Sequence, residues 1–249
     1  VAVRGARNGG KATRTNRKVG GASGHWRLRA LGALLLAGIV GGAWGWWHLR
    51  HWTPERAIYG AQGVEVGADD GDISWKSLKA IGADFAYIDA SASAFARDPR
   101  FVENFEAARS AGMQVGALHR YDPCQPAGTQ AANFVTTVPR DAKLLPPAVE
   151  LDMLADGCPV KVSDARVESE LMTFLNQVET HTGKPVILKV TPAFQARYTI
   201  AHKLDRNLWL VRDRFTPSYA GRPWTMWTAN SDLANEIAQG GLRWVVVQE

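Results

Sequence analysis

Leu145-Pro146-Pro147-Ala148-Val149-Glu150-Leu151-Asp152 is a short apolar run that closes on two carboxylates spaced i, i+2. Side chains alternate across a strand, so Glu150 and Asp152 point to one face while Val149 and Leu151 point to the other. Crowding two acids in one small region pushes their pKa values apart. One carboxyl can then stay protonated as a general acid while its neighbour stays ionised, as glycosidase chemistry requires. A strand end whose acids simply face solvent has the same pattern, so the surrounding chain must decide between the two.

Working outward, strand and helix patterns alternate at close intervals on both sides of this segment. Upstream, strands are expected at 63–67, 85–90 and 115–119, with helices at 74–82, 99–111 and 130–138 between or after them. Downstream, Val167, Leu171, Phe174, Leu175 and Val178 recur at helical spacing, so the longest helix is expected over 163–181, ended by Gly183-Lys184-Pro185. Strands follow at 186–190, 208–211, 225–228 and 243–247, which makes eight in all. Near-continuous apolar strands alternating with helices mean a parallel sheet covered by helices, and eight strands suggest closure. The fold class expected is α/β, an irregular (β/α)8-like barrel whose late helices are short or missing, because the last third leaves little chain between strands. No internal repeat or second globular domain is visible.

Chemistry in such barrels gathers at the C-terminal ends of the strands. The polar residues expected there are Glu65, Asp89, His119, Glu150 with Asp152, Lys189, Thr228 and Arg243, with Tyr87, Tyr121, Trp209 and Trp227 close by in sequence. Carboxylates flanked by aromatic faces suit a sugar polymer, whose C–H faces stack on rings while its hydroxyls take hydrogen bonds. Each aromatic on its own is equally compatible with a place in the core.

The chain before the barrel has a different character. Of the 249 residues, 46% are hydrophobic and 21% charged, which fits one large domain with an extension. The formal charge of +5 is concentrated before residue 30, in Arg4, Arg7, Lys11, Arg14, Arg17, Lys18, Arg27 and Arg29. Taking those eight from the 29 basic residues leaves 21 against 24 acidic ones. Positions 1–29 therefore read as a disordered basic arm on the cytoplasmic side, without the aromatic interleaving that would suggest nucleic acid. Residues 30–47, ALGALLLAGIVGGAWGWW, carry no charge and read as a single transmembrane anchor or uncleaved signal, with a cleaved signal peptide as the alternative. After a linker over 48–58, the domain spans 59–249. This organisation places the domain in the periplasm or outside the cell, held at the inner membrane, or secreted if the segment is cleaved.

Two cysteines, Cys124 and Cys158, stand in loop-like surroundings that each follow an expected strand. They could pair as one disulfide in an oxidising compartment or remain as two free thiols. There is no C-x-x-C and the six histidines show no ligand spacing, so neither a metal nor a cofactor is expected.

From about Tyr59 to Val247 the chain resembles glycoside hydrolase family 25, the muramidase-type lysozymes. The matching segments are Gln62-Gly63-Val64-Glu65-Val66, Gly71-Asp72-Ile73-Ser74-Trp75, Asp98-Pro99-Arg100-Phe101-Val102-Glu103-Asn104, Gly116-Ala117-Leu118-His119 and Gln130-Ala131-Ala132-Asn133-Phe134. The opening octapeptide resembles the family's L-P-P-x-x-D-x-E, and Trp224-Thr225-Met226-Trp227-Thr228 its W-x-x-W-Q. The resemblance implies cleavage of the β-1,4 bond after N-acetylmuramic acid in peptidoglycan, with that glycan strand as partner.

The departures from the family pattern fall on the acids. An aspartate is Glu65 here, the D-x-E pair is reversed as Glu150 and Asp152, a Tyr of the fifth strand is Lys189, and the aspartate of V-D-x-N coincides with Arg243. By resemblance Asp152 is the general acid/base, and Glu150, assisted by Glu65, stabilises positive charge at the anomeric carbon. Asp89, His119, Tyr87, Lys189, Trp209, Trp227 and Arg243 would line the substrate cleft. Asp152 is one methylene shorter than the glutamate it replaces, a loss of about 1.5 Å of reach. The alternative is a degenerate member that keeps the barrel and binds peptidoglycan as an envelope protein. If Arg243 sits away from the Glu150 and Asp152 pair, the enzyme is favoured; if its guanidinium caps either of them, the binding protein is.

Overall fold

The computed structural model describes residues 23–248 together with positions 1, 2, 5 and 9. It separates into two units, 1–47 and 48–249. Most of the basic arm therefore lies outside the described residues. Helix α1 (Ser23–Arg50) takes in the whole uncharged run and begins before it, so Arg27 and Arg29 are helical. Its stretch Trp26–Arg50 is long and apolar enough to cross a membrane, and Leu34, Leu35, Leu36 and Ile39 are all exposed.

The second unit is built on β1 (Gln62–Val66), α2 (Trp75–Ala80), β2 (Phe85–Ala92), β3 (Ala96–Arg97), α3 (Phe101–Ser110), β4 (Gln114–Arg120), α4 (Ala127–Thr137), β5 (Ala148–Leu151), α5 (Asp164–Thr182), β6 (Ile187–Val190), α6 (Pro192–Tyr198), α7 (Ile200–Lys203), β7 (Leu208–Val211), β8 (Met226–Leu233) and β9 (Leu242–Val247). The strand order is β1-β9-β8-β7-β6-β5-β4-β2, and β1 pairs with β2 to close an eight-stranded barrel; β3 is a short hairpin partner of β2. The eight expected strands are all present. After β6 the helices shrink to α6 and α7, and β7, β8 and β9 follow one another with no helix between them. The sheet is not wholly parallel: β9 runs antiparallel to both β1 and β8, because no helical crossover returns the chain to the other end of the barrel.

Local sequence explains the helix ends. Ser163 caps α5 by accepting the Arg166 amide, and Gly183 ends it at φ 69°, the left-handed region glycine enters freely. The alternation of each strand divides the apolar residues into two cores. Val64, Val66, Ala86, Ile88, Val149, Leu151, Leu188 and Val190 face outward and pack under the helices with Leu171, Phe174, Leu175 and Phe134. Phe85, Tyr87, Leu118, Ala148, Ile187, Trp209, Met226 and Val245 face inward and fill the barrel. Gly116 makes room for this filling, since a Cβ there would lie 2.4 Å from the Tyr87 ring.

Candidate active site

Above the apolar filling, the inward positions at the mouth of the barrel are charged. Arg120, Glu150 and Lys189 are direct register neighbours across β4, β5 and β6, and Glu65 is the register neighbour of Arg243 across β1 and β9. Lys189 joins the two groups. Its Nζ stands 2.6 Å from Glu65 Oε1 and 2.5 Å from Glu150 Oε1, and 5.3 Å above the Trp209 ring. Arg243 places Nε 3.1 Å from Glu65 Oε1 and donates from Nη2 to Asp70 Oδ2 at 3.0 Å. Arg120 donates from Nη2 to Asp89 Oδ2 at 2.6 Å, and its Nε lies 3.4 Å from Glu150 Oε2. The result is one series of alternating charges: Asp70, Arg243, Glu65, Lys189, Glu150, Arg120, Asp89.

Burial and neighbouring charge compete along this series. Burial pushes Glu65 up, but the Lys189 and Arg243 charges with the Lys189 hydrogen bond overcome it and hold the carboxyl below its ordinary value. Burial pushes Lys189 down, and Glu65 and Glu150 more than restore it, so the ammonium stays charged. Arg243 is likewise held charged by Glu65, Asp89 and Asp70 against its own burial. Asp89 behaves oppositely. Burial, reinforced by the Glu65 charge, raises it to about 7 against the opposing pull of Arg120. Gly67 allows the close approach of this residue, since a Cβ there would sit 2.5 Å from Asp89 Oδ2.

Asp152 continues the inward phase of β5 beyond its last residue and is exposed. Among the described residues it has no ion pair or side-chain hydrogen bond. Arg243 therefore caps Glu65 and Asp70 and sits away from the Glu150 and Asp152 pair, while Lys189 and Arg120 hold Glu150.

The expected substrate-lining aromatics are not at the mouth. Tyr87 is buried in the barrel, donating its hydroxyl to the Pro146 carbonyl at 3.0 Å and packing on Trp209, whose Nε1 donates to Thr228 Oγ1 at 2.8 Å. Trp227 faces outward among Trp52, Tyr59 and Trp224, and its Nε1 donates to the Arg212 carbonyl. His119 also faces outward, because it follows the inward Leu118. It stacks on Phe174 at 4.7 Å and sits within hydrogen-bonding distance of Ser91 and Gln130. Burial lowers it to about 4, so it is neutral at ordinary pH. These four rings serve packing, since none is exposed to a ligand in the mouth. Arg120 and Asp70 belong to the site although neither stood out in the sequence. Arg120 shares the inward parity of Leu118 and so was open to detection, whereas Asp70 lies in the turn after β1 and carries no periodic signal.

Cys124, in the loop after β4, and Cys158, in the loop after β5, are joined by a disulfide with a Cα–Cα distance of 5.2 Å. The bond ties together two loops that leave the same end of the barrel, one of them carrying Asp152.

A closed, partly antiparallel β/α barrel with carboxylates gathered at the strand ends defines a glycosidase-type scaffold. The chain belongs to glycosyl hydrolases family 25, whose profile matches residues 64–234. It is similar to Lysozyme M1 of Streptomyces globisporus, 28% identical over 140 residues that make up 54% of this chain and 48% of that protein. The chain thus spans about half the length of this curated relative. Among solved structures it is similar to a family 25 glycosyl hydrolase from Bacillus anthracis, with TM-score 0.72, 28% identity and coverage of 80% of this chain and 93% of the other. A bacterial lysozyme from Streptomyces coelicolor shares the fold at TM-score 0.67 and 23% identity, over 76% of this chain and 92% of the other.

Proposed function

We propose that this domain is a muramidase-type lysozyme that cuts the glycan strand of peptidoglycan, with Asp152 as the proton donor. The observation that carries the reading is the division of labour on β5. Glu150 is clamped by Lys189 and Arg120, whereas Asp152, two residues on and on the same face, is open to a ligand. An open carboxyl beside one paired with two cations matches the two-carboxylate arrangement by which a glycosidase protonates the leaving oxygen and faces charge at the anomeric carbon. Glu65 supports the anionic side through the shared Lys189.

Lys189 favours a second reading, in which the mouth binds the glycan without turnover. Its ammonium neutralises part of the negative charge that Glu150 and Glu65 would offer an oxocarbenium-like transition state. Release of reducing ends from purified peptidoglycan, compared between the protein and Asp152→Asn, separates the two. Release that the substitution abolishes supports the lysozyme. Equal release removes Asp152 as the proton donor, and release from neither while peptidoglycan pull-down persists leaves the binding protein.

The apolar helix and the disulfide support placing the domain outside the cytoplasm on a membrane anchor. Retention in the membrane fraction after alkaline carbonate washing tests this, and recovery in the soluble fraction points to a cleaved signal.

A further inference from the structure

The loop after β7, Arg212-Asp213-Arg214-Phe215-Thr216, turns a large aromatic toward solvent although its backbone is firmly held. The Arg212 and Arg214 amides donate to the Thr228 and Ala229 carbonyls, so the loop prolongs the pairing of β7 with β8 past Val211. Asp213 Oδ1 accepts the Ser231 amide at 2.7 Å. Phe215 is nevertheless 66% exposed, with the Arg212 guanidinium 5.6 Å from its ring centroid. Arg214 beside it has a φ of 65°, a left-handed conformation that a residue with a Cβ enters only at a cost. In that conformation its side chain reaches the last turn of α1, where Nε and Nη2 both donate to the Leu49 carbonyl at 3.2 and 3.1 Å. A guanidinium there satisfies an open carbonyl at a helix C-terminus and complements its dipole. Leu49 is half exposed, and as a residue beyond 47 it belongs to the barrel unit.

Leu49 identifies what this loop meets. Helix α1 is continuous from the uncharged run to Arg50, so Leu49 follows Trp47 by two helical residues, about 3 Å of rise. A membrane crossed by residues 30–47 therefore has its boundary beside Leu49, and Arg214 brings Phe215 to that boundary. Such a boundary takes apolar side chains between the headgroups and the acyl chains while guanidinium groups bind the phosphates. Leu49 and Phe215 supply the first kind of group and Arg212 the second. The neighbouring acids are already engaged, Asp213 with the Ser231 amide and Asp232 with Arg50 at 2.9 Å. We propose that the 212–216 loop is a lipid-contact site, with Phe215 among the acyl-chain ends nearest the headgroups and Arg212 on a phospholipid phosphate. This rests on the reading that α1 is a retained anchor. The loop leaves the same end of the barrel as the mouth, so the contact holds the mouth near the bilayer and directs it to glycan next to the membrane.

Spin labels on the full chain, reconstituted in vesicles of phosphatidylcholine and phosphatidylglycerol in equal parts, test the contact. Cys124 and Cys158 are joined, so a thiol introduced as Phe215→Cys is labelled alone. Phe95→Cys is the reference, because Phe95 is 82% exposed in the turn between β2 and β3, and β2 stands four places from β7 on the ring of eight. At 215, collision of the label with dissolved oxygen is expected to exceed collision with a water-soluble nickel chelate several-fold, whereas at 95 the chelate should dominate. Adding Arg212→Glu should weaken the preference at 215, and no change there would overturn the phosphate contact. A label at 215 as open to the chelate as the one at 95, in protein that alkaline carbonate leaves in the vesicles, would overturn the lipid site and keep the anchor. Release by carbonate would overturn both. A label at 215 that an N-acetylglucosamine tetramer immobilises in detergent, and that stays in water in the vesicles, would assign Phe215 to the glycan and overturn the lipid site.

Discussion

Lys189 and Glu65 meet at 2.6 Å across the inside of the barrel, from strands that stand four places apart on a ring of eight. The pair is a strut through the lumen rather than a contact between neighbours. Both residues are almost fully buried, and Lys189 also holds Glu150, so a single ammonium stabilises two carboxylates.

Replacing Lys189 with methionine is therefore expected to destabilise the fold by about 3–5 kcal/mol, the cost of leaving a buried charge without its partner. Chemical denaturation measures this. Adding Glu65→Gln to the methionine variant should restore part of the loss, because the charge left behind is then removed; a double variant less stable than the single one would contradict the strut.

Asp152→Asn should behave in the opposite way. The side chain is exposed and held by no ion pair, so stability should change by less than about 0.5 kcal/mol. Release of reducing ends from peptidoglycan should fall at least about a hundredfold, the scale of a lost general acid. Unfolding curves and activity on the same preparation separate the two effects.

Stability against pH should be flatter than either of its main contributors. Asp89 is raised to about 7, so the native state holds its proton longer than the unfolded chain does, and stability falls as pH rises from about 4 to about 7. His119 is lowered to about 4, so the unfolded chain takes up a proton first, and stability is lost as pH falls from about 6.5 to about 4. Between about pH 4.5 and 6.5 the two slopes oppose each other. Asp89→Asn should leave a protein whose stability rises with pH over that window, and His119→Gln one whose stability falls. Denaturant midpoints at several pH values in the window read the sign directly.

Removing the disulfide through Cys124→Ser with Cys158→Ser should cost roughly 3–4 kcal/mol, the loop-closure effect expected for a separation of 34 residues. Peptidoglycan cleavage should weaken as well, since the bond restrains the loop that carries Asp152. Full activity in a destabilised double variant would show that this loop needs no such restraint.

Much of this architecture was legible in the sequence because strands and helices impose periods on the residues they bury. Glu150-Leu151-Asp152 announced its two faces, and Val167 through Val178 marked the longest helix. The same rule, carried one residue further, would have turned His119 and Trp227 away from the mouth, since each stands next to an inward-facing residue, Leu118 and Met226. What periodicity cannot supply is reach. Whether Lys189 caps Glu65 depends on barrel closure, and whether Arg243 meets Asp70 depends on a turn of irregular backbone. The antiparallel course of β9 was equally hidden, because an apolar strand reads the same in both directions.

Seven charges wired in series also constrain how this sequence can change over generations. Removing an interior member, from Arg243 through to Arg120, leaves at least one neighbour without its ion-pair partner, so single steps at these positions pass through weakened intermediates. Lineages that carry this barrel should therefore exchange residues 65, 150, 189 and 243 in concert, and a mouth without the lysine would have to arise as a set of changes.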